Sequence, residues 1–200
     1  MQEERKLSNR LEAWLTGEQP KTLGSLVELF EEKSFAVLFV LLLAASALPI
    51  PTGGVTNVFE VIAILIALQL LIGRRTVWLP ERFRQRELGP AAQKRFRDTL
   101  LRRIRWLESH SRPRLTFLLT TRASLVAYGA VVLLFSLGAF LAPPFSGLDT
   151  LPSLGVVLIS VGVLLDDALL ALIGAIVGAV GVLLVLTLGR LVVEGASDLF

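Results

Sequence analysis

Ala47-Leu48-Pro49-Ile50-Pro51-Thr52-Gly53-Gly54 interrupts one long apolar run, and Leu141-Ala142-Pro143-Pro144-Phe145-Ser146-Gly147 interrupts another. Neither stretch can be helical throughout. Proline lacks the N–H that a helix interior uses, and glycine admits positive φ. Gly54 and Gly147 are 93 residues apart, and aligning them places Pro51 on Pro144. Small polar residues follow each break: Thr56 and Asn57 in the first case, Asp149 and Thr150 in the second. Apolar runs then resume in register. In hydrocarbon, unpaired backbone groups cost several kcal/mol each, so a broken segment there must be buried by protein or line a cavity. Two broken segments in corresponding halves point to a transporter-like binding site.

The flanking runs set the solvent. The span from Phe35 to Gly73 carries one charge, Glu60, and the span from Ala123 to Gly189 carries three, Asp149, Asp166 and Asp167. Over all 200 residues, 54% are hydrophobic and 18% charged, against about 25% charged in an ordinary soluble domain. Such runs read as membrane segments. Phe35–Pro51 and Asn57–Gly73 are each 17 residues. That is roughly 25 Å of helix, at the lower limit for a span. They are either short spans joined by a tight turn or a re-entrant hairpin. Ala123–Ala142 reads as a full span, Leu154–Leu165 as too short to cross alone, and Ala168–Gly189 as a long span closed by Arg190. Gly174, Gly178 and Gly181 give that last segment small-residue spacing for close helix approach.

The whole is one membrane domain, 1–200. Residues 1–33 form an N-terminal amphipathic region, 34–73 the first broken-helix unit, 74–114 a basic region and 115–190 the second unit with its glycine-rich helix. In the N-terminal region Leu7, Leu11, Trp14 and Leu15, then Leu23, Leu26, Val27 and Phe30, recur at helical spacing. This predicts a helix pair lying on the membrane surface or a partner subunit. Residues 74–122 hold 14 of the 20 Lys/Arg and four acids. Within them, Phe96, Leu100, Ile104 and Leu107 form one face of a basic amphipathic helix. Trp78, Arg95, Arg102, Arg103 and Trp106 are the interfacial contacts with lipid. The positive-inside rule makes this loop cytoplasmic and brings the N-terminus to the same side. The acidic start, Met1-Gln2-Glu3-Glu4, does not read as a signal peptide. The second unit is an inverted copy of the first if an odd number of crossings separates them; the side of the C-terminus stays open.

Several chemistries find no residues to carry them. There is no cysteine, and the one histidine, His110, sits in the basic linker. No Ser/His/Asp set, phosphate-cradling loop or metal cluster is recognisable. The expectation is a non-enzyme with no cofactor and no metal. The amphipathic pattern and membrane context also argue against nucleic acid as a partner. The candidates for substrate or ion binding gather at the breaks: Pro49, Pro51, Gly53, Gly54, Asn57 and Glu60 at the first, Pro144, Gly147 and Asp149 at the second. An intramembrane acid such as Glu60 is costly unless paired, protonated or hydrated. Its bland alternative is a carboxyl near the interface. Helix starts at the breaks could hold a phosphate or sugar hydroxyls, although Asn57 and Ser153 could equally be N-caps. Asp166 and Asp167 are a further candidate, paired with Arg74, Arg75 or Arg122, or else a solvated turn. Gln69 reads as interhelical glue. Were the breaks to meet, Glu60 and Asp149 would be the one carboxylate pair.

These residues resemble the ExoD family of bacterial exopolysaccharide-synthesis membrane proteins. The resemblance rests on Leu48-Pro49-Ile50-Pro51 with Gly53-Gly54, Ala67-Leu68-Gln69-Leu70-Leu71-Ile72-Gly73-Arg74, Trp78-Leu79-Pro80 and Arg112-Pro113-Arg114-Leu115. Pro144-Phe145, Leu151-Pro152-Ser153 and Gly162-Val163-Leu164-Leu165-Asp166-Asp167 carry it through the second half. Asp149 and Ala168 depart from the family pattern, which suggests Asn and Gly there. The resemblance implies an all-α, multi-pass protein of the bacterial inner membrane acting in exopolysaccharide biosynthesis or export. Its role would be transport-like, with a polar cavity between the breaks, or that of a scaffold for polysaccharide-assembly proteins. The bilayer is its partner, and glycine-rich helices in so small a chain favour a homodimer.

Overall fold

The computed structural model describes residues 7–30, 33–48, 55–85, 87, 101, 105, 121–143 and 146–197. Among these residues the structure is helical and has no strand: α1 (Leu7–Thr16), α2 (Leu23–Phe30), α3 (Ser34–Leu43), α4 (Val55–Leu71), the single turn α5 (Glu81–Arg84), α6 (Arg122–Leu141), α7 (Thr150–Leu165) and α8 (Ala168–Ser197). Of these, α6 and the Ala168–Leu188 part of α8 are long and apolar enough to cross a membrane.

Helices α3, α4, α6 and α7 close into a ring. Each hairpin's first helix packs on the other hairpin's second, α3 on α7 and α6 on α4. Side chains fix the direction of every helix. Gly73 ends α4 with φ +89° beside the Arg122 guanidinium that starts α6, and Gly129 of α6 faces Leu70 of α4. Lys33, preceding α3, reaches Asp166, following α7. One end of the ring therefore gathers Lys33, Gly73, Arg122 and Asp166; it adjoins the basic region and is termed the basic end. The other gathers the ends of α3 and α6 and the starts of α4 and α7. Both Pro/Gly breaks accordingly belong to the same end, the break end. The hairpins α3–α4 and α6–α7 thus each start and finish at the basic end.

Helix α8 runs back along α7 from the basic end. Their seam is built of glycine: a Cβ on Gly162 would stand 2.6 Å from the Ala171 nitrogen, one on Gly174 2.6 Å from the Ile159 nitrogen, and one on Gly181 2.6 Å from Pro152. The small-residue spacing thus serves contact within one chain.

Three element boundaries differ from the sequence expectation. Helix α3 stops at Leu43 and passes through turns over 44–48, because Pro49 offers no N–H and pushes Leu48 out of the helical region. Helix α7 begins at Thr150, not Leu154, since Pro152 is tolerated in a first turn; its 16 residues reach about 24 Å. Helix α8 continues through Arg190 to Ser197, as a charge at the water boundary ends an apolar run without ending a helix.

The N-terminal helices use their apolar face inside the chain. Leu11, Trp14, Leu26 and Phe30 join the main buried cluster, and Trp14 Nε1 donates to Ser25 Oγ at 3.1 Å. Ion pairs Arg84–Glu28 and Arg105–Glu12 tie this region to the basic segment. Leu101, outside the expected apolar face of the basic helix, is buried.

Candidate functional site

Helix α4 buries a stripe of Thr56, Glu60, Ala63, Ile66, Ala67 and Leu70. The spacing of three and four puts these residues on one helix face, and Leu70 shows that this face meets α6. Glu60 lies at the break-end part of the stripe. It is 1% exposed, and neither carboxylate oxygen has a hydrogen-bond partner. Burying a charge without a partner is among the costliest arrangements in a protein.

The neighbours of Glu60 follow from helix register. On α6, Ser136 is seven residues, two turns, beyond Gly129 and so shares the face turned to α4. Counting seven residues back from Leu70 on antiparallel α4 reaches Ala63, so Ser136 stands within a turn of Glu60. On α7, Ser160 meets Tyr128 of α6 at 2.8 Å. Seven residues toward the break end, Ser153 lies on the same face, level with Phe135 and Ser136. Ser136 and Ser153 are fully buried, and their hydroxyls have no hydrogen-bond partner. Ser46, in the turns after α3, has a third buried hydroxyl; it makes no hydrogen bond of ordinary length, yet lies close enough to the Glu60 carboxylate to act on it as a donor.

Asp149 completes the group. It is the half-buried N-cap position of α7, one turn before Ser153, whose N–H donates to the Asp149 carbonyl at 3.1 Å. Its carboxylate acts electrostatically on Glu60. Burial pushes the Asp149 carboxyl above its ordinary range. The two acids that flank the breaks are therefore within electrostatic reach of each other.

The field at this end is acidic. No Lys or Arg occurs between 44 and 60 or between 123 and 189. Lys33 and Arg122, the described bases nearest the ring, are at the opposite end. Helix dipoles do not reverse this, since two C-termini (α3, α6) and two N-termini (α4, α7) meet here and offset one another. The chemistry of the centre is oxygen ligation with net negative charge.

The remaining candidates occupy other places. Pro49, Pro51, Gly53, Gly54 and Pro144, and the lipid-interface residues Arg95, Arg102, Arg103 and Trp106, lie outside the described residues. Asn57 is half-buried in the first turn of α4. Gly147 is exposed with φ +69° and nothing near its Cβ position. Asp166 and Asp167 are at the basic end. Asp166 adopts φ 54° as the C-cap of α7 and takes Lys33 at 2.7 Å, a partner the sequence reading did not single out. Asp167 Oδ1 accepts from the N–H groups of Leu169 and Leu170, capping α8. Trp78 is 59% exposed, and Gln69 grips its backbone through both amide atoms at 2.9 and 3.2 Å. Gln69 is therefore glue to a loop. Ser153, read as an N-cap, is an interior helix residue.

The sequence reading missed Ser46 and Ser136. A usable signal existed, because each is an isolated hydroxyl in an apolar run one or two turns before a break.

The family model described as "Exopolysaccharide synthesis, ExoD" matches residues 7–187. The chain is 29% identical over 164 residues to an uncharacterized protein of Synechocystis sp., covering 82% of this chain and 76% of that one. It is 33% identical over 158 residues to the protein named ExoD of Rhizobium meliloti (strain 1021), covering 74% of this chain and 62% of that one. No solved structure matches.

Proposed function

The chain belongs to the ExoD family, and from that membership we propose that it is a multi-pass membrane component of exopolysaccharide synthesis with a transport-like centre at Glu60. It works in the bacterial inner membrane, with the basic end at the cytoplasm and the break end on the opposite side. What carries the reading is one observation. A fully buried carboxylate with no hydrogen bond of ordinary length lies within electrostatic reach of Asp149, at the end where both breaks have their flanks. Structural acids in apolar surroundings are paired; unpaired ones in membrane proteins mark ion and substrate pathways. The test is complementation of a strain lacking the gene. Glu60→Gln should abolish exopolysaccharide output at unchanged membrane level of the protein, and Asp166→Asn should leave output intact. Full output from Glu60→Gln would overturn the transport-like role.

The scaffold reading draws on a different place. At the basic end a cavity of about 540 Å³ is lined by Val27, Glu28, Trp78, Glu81 and Arg84. A partner docking there would make output depend on Trp78 and Arg84 and not on Glu60.

A further inference from the structure

We infer that the break-end centre is a binding site for a single dehydrated monovalent cation of the sodium class, held by Glu60 with the hydroxyls of Ser46, Ser136 and Ser153 and neutralised together with Asp149. This rests on the transport-like reading and names what occupies its centre.

Three observations lead to it. Five buried side-chain oxygens, two from Glu60 and one from each serine, have no hydrogen-bond partner. Native interiors leave few such atoms, and each asks for an occupant or a cause. They are the complete set of unpartnered buried side-chain N and O atoms among the described residues, and register places Ser136, Ser153 and Glu60 at one level of the ring. A proton on Glu60, with Ser46 donating to the carboxyl, would still leave the Ser136 and Ser153 hydroxyls without a partner. A cation answers all of them at once.

The donor set selects the class of ion. Every ligand is oxygen, which suits hard cations and not soft transition metals. Calcium and magnesium gather several carboxylates or waters. No group of three or more His, Cys, Asp or Glu able to hold a metal exists among the described residues. One carboxylate in direct reach and a second nearby match a single positive charge. Asp149 and Glu60 repel one another in this site, and a cation between them converts repulsion into attraction, strengthened by the low local dielectric. The C-terminal ends of α3 and α6 point to the same end, as in broken-helix sites that take sodium, although the Leu43 carbonyl already accepts from Ala47 N–H and the Ala139 carbonyl from Ala142 N–H.

The experiment is equilibrium binding of radioactive sodium to the purified full-length chain in detergent, with choline as the ionic-strength control. Saturable binding by the wild type, lost in Glu60→Gln and weakened in Ser136→Ala and Ser153→Ala, is the expected result. The serine variants remove one oxygen each and nearly conserve volume, so they keep the test valid if Glu60→Gln fails to fold. Asp166→Asn should bind as wild type. No saturable binding by a monodisperse wild type, unaltered binding in all three centre variants, or proton release and uptake without sodium would each overturn the proposal. If sodium fails to bind while Glu60→Gln still abolishes exopolysaccharide output, the cation assignment falls and the transport-like reading stands.

Discussion

At the scale of single residues, Glu60 and Asp166 mark opposite treatments of an acid in an apolar chain. Asp166 is half-exposed, paired with Lys33 and used as a helix cap. An ion pair so placed is worth about 0–1 kcal/mol, so Asp166→Asn should shift thermal stability by a few degrees at most. Glu60 is enclosed and unpaired, and no local need of the backbone explains it. The sequence distinguishes the two poorly. Both are acids at the margin of an apolar run, and what separates them is Lys33, 133 residues from Asp166. Asp149 offers a pH test. Burial raises its carboxyl pKa in the folded protein, so the folded state holds the proton more tightly than the unfolded one. Stability is then lost as pH rises and regained as pH falls through the folded value. In sodium-free buffer, Asp149→Asn should melt above wild type at alkaline pH, with the gap closing toward acid. A gap that widens toward acid would show that Asp149 is stabilised as the anion.

At the scale of elements, helix existence was readable from the apolar runs, and the breaks were readable from Pro and Gly. Boundaries moved where local rules compete. Pro152 looked like a stop but stands in the first turn of α7, where N–H groups have no partner within the helix. Arg190 looked like an end but is passed by α8. The glycines of α7 and α8 were recognisable as a close-packing code, yet their partner was not. That depends on three-dimensional register, which here pairs Gly155 with Gly178 inside one chain. Gly155→Val should therefore damage the fold itself. Overpacking costs about 1–3 kcal/mol in general, and here the clash is with backbone. The expected outcome is a clearly lowered melting temperature for the monomeric species. A variant that melts as wild type and changes only its association state would move this seam to a subunit interface.

At the scale of the whole molecule, the fold acts by bringing two sequence-distant breaks to one end of a ring. The repeated punctuation was legible in the chain, but its orientation was not. Periodicity gives each helix a face without saying which neighbour that face will meet. Gly73 against Arg122, Lys33 against Asp166 and Glu60 near Asp149 supply the missing directions. They bring the flanks of both breaks to one end and thereby create the acidic centre. The same geometry carries α8 away from the basic end, so the C-terminal part of that helix lies on the break side.

The convergence of the breaks can be measured in a chain without cysteine. Single cysteines at Leu48 and Ser146, both exposed, flank the two breaks, and one at Gln85 reports the basic end. Membrane-impermeant thiol labelling of sealed, oriented vesicles should modify Leu48→Cys and Ser146→Cys from the same face and Gln85→Cys from the other. Labelling of Leu48→Cys and Ser146→Cys from opposite faces would separate Asp149 from Glu60 and contradict the account.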